Sequence, residues 1–164
     1  MEKIRLATYE DIPYLLPIYD DARIFMASYG NNQQWQNGYP SEEDLTKDIL
    51  KKELYVLEMD DEIVASFVMY EHEDPCYKVI YDGEWLNDEP YVVLHRVAIS
   101  MRKKHLGDRI VAYAFKQGKN IRMDTHEKNI PMQRLLQRNG FVRTGTILLE
   151  NGQERWAYQG IKNL

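Results

Sequence analysis

The side chains best suited to chemistry stand together in Arg102-Lys103-Lys104-His105-Leu106-Gly107, a basic, glycine-ended hexapeptide. An apolar run from Tyr91 to Ile99 precedes it, and a helical pattern from Gly107 to about Gln117 follows. A basic turn between a strand and a helix is a phosphate-binding design. It aims backbone N–H groups and the positive end of the helix at an anion. The net charge of the chain is −5, so basic residues collected at one turn point to a small anionic ligand rather than a polyanion. Nucleic acid is not expected as a partner, because such binders present a basic face. No Gly-x4-Gly-Lys-Ser/Thr motif occurs, which leaves a P-loop nucleotidase without support.

The elements that must position this turn follow from periodicity and breakers. Lys3 to Ala7 reads as a first strand, and Asp11 to about Ser28 as a helix through Ile12, Leu15, Leu16, Tyr19 and Ile24. Pro13 suits a first turn, whereas Pro17 is placed to kink or restart the helix. Tyr29 to Pro40 is a polar, aromatic loop. Ser41 then N-caps a helix with acidic first-turn residues, running to about Lys52. Leu54–Met59 and Glu62–Tyr70 are strands joined by a turn at Asp60-Asp61. Glu71 to Glu89 is irregular, with Pro75 and Gly83 as breakers.

Tyr91 to Ile99 is the most apolar strand and is expected at the centre of the sheet. Asn120 to Asp124 is another strand, Asn129 caps a helix with Pro131 near its start, and that helix closes at Asn139-Gly140-Phe141. Phe141–Leu149 and Gln153–Ile161 form a hairpin about Asn151-Gly152. The order β-α-α-β-β-β-α-β-α-β-β predicts a single α/β domain over 1–164, with a mixed sheet and about four helices.

Bulk properties agree with one globular domain: 164 residues, 44% hydrophobic and 29% charged, where a chain of about 150 residues buries roughly 70% of its extended surface. No window approaches the roughly 18 consecutive apolar residues of a spanning helix, so no membrane partner is expected. The start, Met-Glu-Lys-Ile-Arg, lacks the apolar region of a signal peptide. The single cysteine, Cys76, cannot form an internal disulfide, and a cytoplasmic location is the expectation.

This order, with these motifs, resembles the GNAT superfamily of acetyl-coenzyme-A-dependent N-acetyltransferases, in its uncharacterised bacterial branch. The family's acyl-CoA signature, a strand followed by Gln/Arg-x-x-Gly-x-Gly/Ala and a helix, stands here as Val97-Ala98-Ile99 and then Arg102 to Gly107. Its later signature, Asn, a helix and Gly-Phe, stands as Asn129 to Gly140-Phe141. The loop Gln34-Trp35-Gln36-Asn37-Gly38-Tyr39-Pro40 is also similar to one in bacterial members. Three positions depart from the pattern. His105 replaces the first glycine of the turn, the approach from Ile99 to Arg102 is shorter than usual, and Leu136 stands where many members place a general-acid tyrosine.

The resemblance implies transfer of an acetyl group from acetyl-CoA, a cosubstrate, to an amine, with no metal. It assigns the pyrophosphate to the backbone N–H groups of Lys103, Lys104, His105, Leu106, Gly107 and Asp108, with Arg102 to Lys104 adding charge. Val97, Ala98 and Ile99 are to pair with the pantetheine amides, a strand amide is to polarise the thioester carbonyl, and Asn129 is to contact the cofactor arm. The acceptor site is implied at the loop 29–40, with Trp35 and Tyr39, and at the turn around Asn151. Trp35 either stacks on a cationic acceptor or packs the loop. Members of the family are often homodimers.

The acceptor amine must be neutral to attack. An alkylamine with pKa about 10.4 is neutral roughly once in 2,500 molecules at pH 7, a cost of about 4.6 kcal/mol, so a base helps. The resemblance offers two alternatives: His95, expected to share a side-chain face with Val97 and Ile99, and Asp124 at the end of the fifth strand. A structural role is the competing reading for each. Lack of the tyrosine acid at Leu136 is survivable, since a thiol of pKa about 8.5 leaves as thiolate at pH 7 for about 2 kcal/mol. Another tyrosine, such as Tyr158 on the last strand, is a candidate to substitute as the acid. From a different class, the alternative function is a non-catalytic acyl-CoA-binding sensor. Glu71-His72-Glu73-Asp74-Pro75-Cys76 reads as a solvated acidic loop rather than a metal site, and His126 as a loop or capping residue.

Overall fold

The computed structural model describes residues 1–100 and 105–162. Seven strands and four helices follow in the order β1 (Glu2–Leu6), α1 (Ile12–Ser28), α2 (Glu42–Leu50), β2 (Leu54–Met59), β3 (Glu62–Tyr70), β4 (Val92–Ile99), α3 (Leu106–Gln117), β5 (Asn120–Thr125), α4 (Ile130–Arg138), β6 (Val142–Leu148) and β7 (Glu154–Ile161). The strands lie in the order β1-β2-β3-β4-β5-β7-β6. β4 and β5 are parallel, while β1–β2, β2–β3, β5–β7 and β6–β7 are antiparallel. This is the mixed α/β architecture that the element order predicts.

The contacts divide the chain into two compact units, Met1–Met69 with His95–Gly107, and Tyr70–Leu94 with Asp108–Leu164. In the first, Asp60 and Asp61 adopt φ of 51° and 66°. Two successive left-handed residues make the turn whose twist matches a tight hairpin. Helix α1 runs unbroken from Ile12 to Ser28, as the periodicity predicts, and does not restart at Pro17. Pro13 sits in its first turn, and Pro17 lies inside. Leu15, Ile18, Tyr19 and Ala22 are buried on one face, and that burial outweighs the loss of one helical hydrogen bond. Ser41 and Asp44 form a capping box: Ser41 Oγ accepts from the Asp44 N–H, and Asp44 accepts from the Ser41 N–H at 2.8 Å. Two otherwise orphaned N–H groups are satisfied, which fixes where α2 begins.

In the second unit, Tyr77, Val93, Ile147 and Ala157 form a core cluster, with Trp85 and Tyr91 packed against it. The segment 71–89 is irregular apart from one 3-10 turn at Pro75–Tyr77, yet it is tied down. Tyr81 bridges Thr146 of β6 through two backbone hydrogen bonds of 2.8 Å. Gly83 and Gly145 permit this approach, because a Cβ on Gly83 would stand 1.9 Å from the Thr144 carbonyl oxygen and one on Gly145 2.6 Å from that of Tyr81. The β6–β7 turn places Gly152 at φ 83°, with its N–H bonded to the Leu149 carbonyl.

Candidate active site

Strand β4 carries the first set of site residues, and its regularity breaks at Arg96. That residue adopts φ 50°, a left-handed conformation costing an L-residue roughly 1–2 kcal/mol. The expected common face of His95, Val97 and Ile99 assumes an unbroken pleat. A left-handed residue between His95 and Val97 interrupts the alternation, so side-chain parity does not carry across it. The register of β4 with β5 covers Val92↔Ile121 and Val93↔Arg122, ahead of this point.

The surroundings hold Arg96 firmly. The Tyr19 hydroxyl donates to the Arg96 carbonyl oxygen at 2.8 Å. The Arg96 Nε–H donates to the Tyr39 hydroxyl at 2.7 Å, and the guanidinium lies 5.0 Å from the centre of the Tyr39 ring. A second guanidinium nitrogen pairs with Asp48, on the buried side of α2. Burial raises the Asp48 carboxyl above its usual range, with the Arg96 charge working in the opposite direction. Burial also opposes the charge on Arg96, but Tyr39 and Asp48 outweigh it, so the guanidinium stays protonated.

The aromatic loop is built onto the same group. Trp35 packs against Tyr19 with ring centres 5.6 Å apart. Arg23 of α1 donates to the carbonyl oxygens of Tyr39 at 3.1 Å and of Pro40 at 3.4 Å. Trp35 and Tyr39, both expected at the acceptor rim, therefore have structural contacts of their own.

The basic turn itself, Arg102, Lys103 and Lys104, lies outside the described residues. Its exit is described. His105 adopts φ 61°, the backbone region that glycine enters at no steric cost. Leu106 is buried and opens α3. Asp108, in the first turn of α3, accepts from Arg138 Nε at 3.1 Å, Arg138 Nη2 at 3.0 Å and Asn139 Nδ2 at 2.8 Å. Its carboxylate thus fastens the start of α3 to the end of α4. Asn129 is the N-cap of α4, accepting from the Met132 N–H at 3.3 Å, and is buried. Leu136 is fully buried, and Phe141 closes the motif with its ring against Gly160, where a Cβ would come within 2.7 Å.

Asp124, the second base candidate, sits on β5 opposite Ala157. Its Oδ2 accepts from the Tyr77 hydroxyl at 2.6 Å. Burial, followed by the Asp124 charge, pushes that phenol well above its ordinary range, so Tyr77 remains the donor. The Trp85 indole N–H donates to the Tyr77 carbonyl at 2.8 Å. Arg122 lies between the rings of Trp85 and Tyr91, 4.3 Å and 4.2 Å from their centres. Burial lowers its pKa. Gln159 donates to Asn120 Oδ1 at 2.6 Å and accepts from the Leu86 N–H at 2.8 Å. Buried polar groups, rather than regular structure, thus anchor the irregular segment. Sequence reasoning missed Tyr77, Trp85 and Arg122, and the density of aromatic residues between Tyr70 and Tyr91 was the available signal.

The remaining candidates have definite contacts. Tyr158 is 2% exposed, and burial raises its hydroxyl with Arg143 acting against the rise. His126 Nδ1 accepts from the Lys128 N–H at 3.1 Å, and burial lowers its pKa, which suits a loop-capping residue. In the acidic loop, Asp74 accepts from the Tyr70 hydroxyl at 2.5 Å and the Cys76 N–H at 2.8 Å. Burial, then Asp74 and Asp124, raises the Cys76 thiol, which leaves it a poor nucleophile. No group of His, Cys, Asp and Glu suited to a metal ion occurs among the described residues.

With this fold and site in view, solved structures supply the family. An acetyltransferase of the GNAT family from Streptococcus agalactiae is 33% identical, with 99% of this chain and 96% of that chain covered and a TM-score of 0.90. The chain therefore belongs to the GNAT family of acetyltransferases. Two more distant proteins share the fold. A GNAT-family acetyltransferase from Listeria monocytogenes is 19% identical over 98% of this chain and 94% of that one, with a TM-score of 0.71. The PaiA N-acetyltransferase from Thermoplasma acidophilum, solved with coenzyme A, is 15% identical over 98% and 99%, with a TM-score of 0.68. Protein-family models give no match, and no curated protein matches.

Proposed function

We propose that this chain is an N-acetyltransferase that moves the acetyl group of acetyl-CoA to a primary amine of a small molecule or peptide by direct attack. The likeness to the Streptococcus agalactiae acetyltransferase over 99% of the chain carries the reading. The distant Thermoplasma acidophilum structure in complex with coenzyme A supports the choice of donor.

In this reading the N–H groups of Lys103, Lys104, His105, Leu106, Gly107 and Asp108 hold the pyrophosphate, and Arg102 to Lys104 add charge. Val97, Ala98 and Ile99 pair with the pantetheine arm, and Asn129 contacts it. The amine nitrogen attacks the thioester carbonyl carbon, and a β4 N–H stabilises the oxyanion that forms. The C–S bond then breaks, and CoA leaves as thiolate. His95 or Asp124 takes the ammonium proton. A single oxyanion donor contributes about 3–4 kcal/mol to such a step. Trp35 and Tyr39 border the acceptor. The reaction needs no metal, takes place in the cytoplasm and involves neither nucleic acid nor membrane; a homodimer, common in the family, is a candidate active species.

CoA-thiol release measured over a panel of polyamines, aminoglycosides, amino acids and peptides tests the proposal. Turnover above hydrolysis with one amine class supports it. Tight acetyl-CoA binding with no turnover across the panel assigns the chain to the sensor class instead.

A further inference from the structure

The peptide joining Arg96 to Val97 is held from one side. Tyr19, fully buried, donates to the Arg96 carbonyl oxygen at 2.8 Å. The phenol oxygen also lies 3.3 Å from Ser66 Oγ. Ser66 has a single hydroxyl proton, and it donates to the Tyr55 carbonyl at 2.9 Å. The Tyr19 proton therefore goes to Arg96, with Ser66 as the weaker second acceptor. The Arg96 side chain is fixed independently by Tyr39 and Asp48. Backbone conformations of this kind persist where the surroundings over-determine them, and they cluster at functional sites.

Peptide planarity turns this anchoring into an aim. The only cis bond among the described residues is Tyr39-Pro40, so the Arg96–Val97 peptide is trans. Its C=O and the Val97 N–H then point in opposite directions. With the carbonyl drawn toward Tyr19, the N–H is directed away from it. We propose that Tyr19 is a positioning residue for acyl transfer: by holding the Arg96 carbonyl it orients the Val97 N–H toward the thioester carbonyl oxygen of the acyl donor. The inference rests on the acetyl-CoA reading above, and it assigns the oxyanion donor to one peptide and its orientation to one hydroxyl.

The test needs no acceptor. Isotope-edited infrared spectroscopy of the full chain with acetyl-CoA labelled at the thioester carbonyl reads polarisation of that bond directly, and calorimetry compares acetyl-CoA with CoA. In the unaltered protein the bound carbonyl stretch is expected below that of free acetyl-CoA. In Tyr19→Phe it returns toward the free value, and the preference for acetyl-CoA over CoA falls about tenfold while CoA affinity is retained. Tyr39→Phe, which loosens the Arg96 side chain and leaves the buried core intact, gives a smaller shift in the same direction. An unshifted stretch in both variants overturns the inference and leaves the acetyl-CoA reading standing. Failure of the unaltered protein to bind acetyl-CoA overturns both.

Discussion

The Tyr77 hydroxyl donates to Asp124 Oδ2 at 2.6 Å, joining residues 47 positions apart. Tyr77 is fully buried, so deleting its oxygen leaves the carboxylate short of a charge-assisted bond. Tyr77→Phe is expected to lower stability by about 1.5–3 kcal/mol at neutral pH. The pH dependence has a definite sign. The phenol is raised by burial and then by Asp124, so the folded protein keeps a proton that the unfolded chain releases. Its contribution is complete below about pH 10 and is lost as pH rises through the raised value. Urea unfolding at neutral and alkaline pH should show a midpoint that falls less steeply with pH in the variant. Identical midpoints at neutral pH would mean that the bond contributes nothing.

Arg96→Leu removes the partner of a buried carboxylate. Breaking such a pair typically costs about 3–5 kcal/mol. Asp48 is already raised by burial, and loss of the guanidinium raises it further. Protonation then relieves the buried charge, so the deficit is largest at neutral pH and shrinks as pH falls into the raised carboxyl range. Asp48→Asn in the Arg96→Leu background should recover part of the loss at neutral pH. Denaturation of the single and double variants at two pH values measures both effects.

Gly107 is buried at the start of α3. Gly107→Glu places an anion where the pyrophosphate is proposed to bind, and acetyl-CoA affinity should fall at least about 100-fold, or about 2.7 kcal/mol. Calorimetry measures the affinity, and circular dichroism confirms that the variant is folded. Unchanged affinity would locate the donor site away from this turn.

His95→Ala and Asp124→Asn separate the two base candidates. Removal of a general base typically lowers the rate about 10²–10⁴-fold. The variant that also loses the acidic limb of its pH–rate profile identifies the base. If both variants keep the wild-type limb, neither residue takes the proton.

Much of the scaffold was legible because its signals are local. Ser41 and Asn129 cap helices with their own side chains, and Asp60-Asp61 turn a hairpin within four residues of chain. Family membership was legible from motifs in order. The break at Arg96 was not: an arginine inside Val-Leu-His-Arg-Val-Ala-Ile carries no mark of positive φ, and the contacts that hold it come from Tyr19, Tyr39 and Asp48. Tyr77 and Arg122 were missed for the same reason, since their roles depend on partners distant in sequence. At Pro17 two local signals compete, and the apolar repeat, with Leu15, Ile18 and Tyr19 buried, prevails over a restart of the helix.

The Tyr81–Thr146 bridge bears on self-assembly. β6 ends the sheet order, and a terminal strand is ordinarily a template onto which a second chain adds. Tyr81 already occupies the N–H and the carbonyl of Thr146, so at that point the molecule acts as its own edge guard. Two copies of this chain cannot zip together along the middle of β6 unless that bridge first opens.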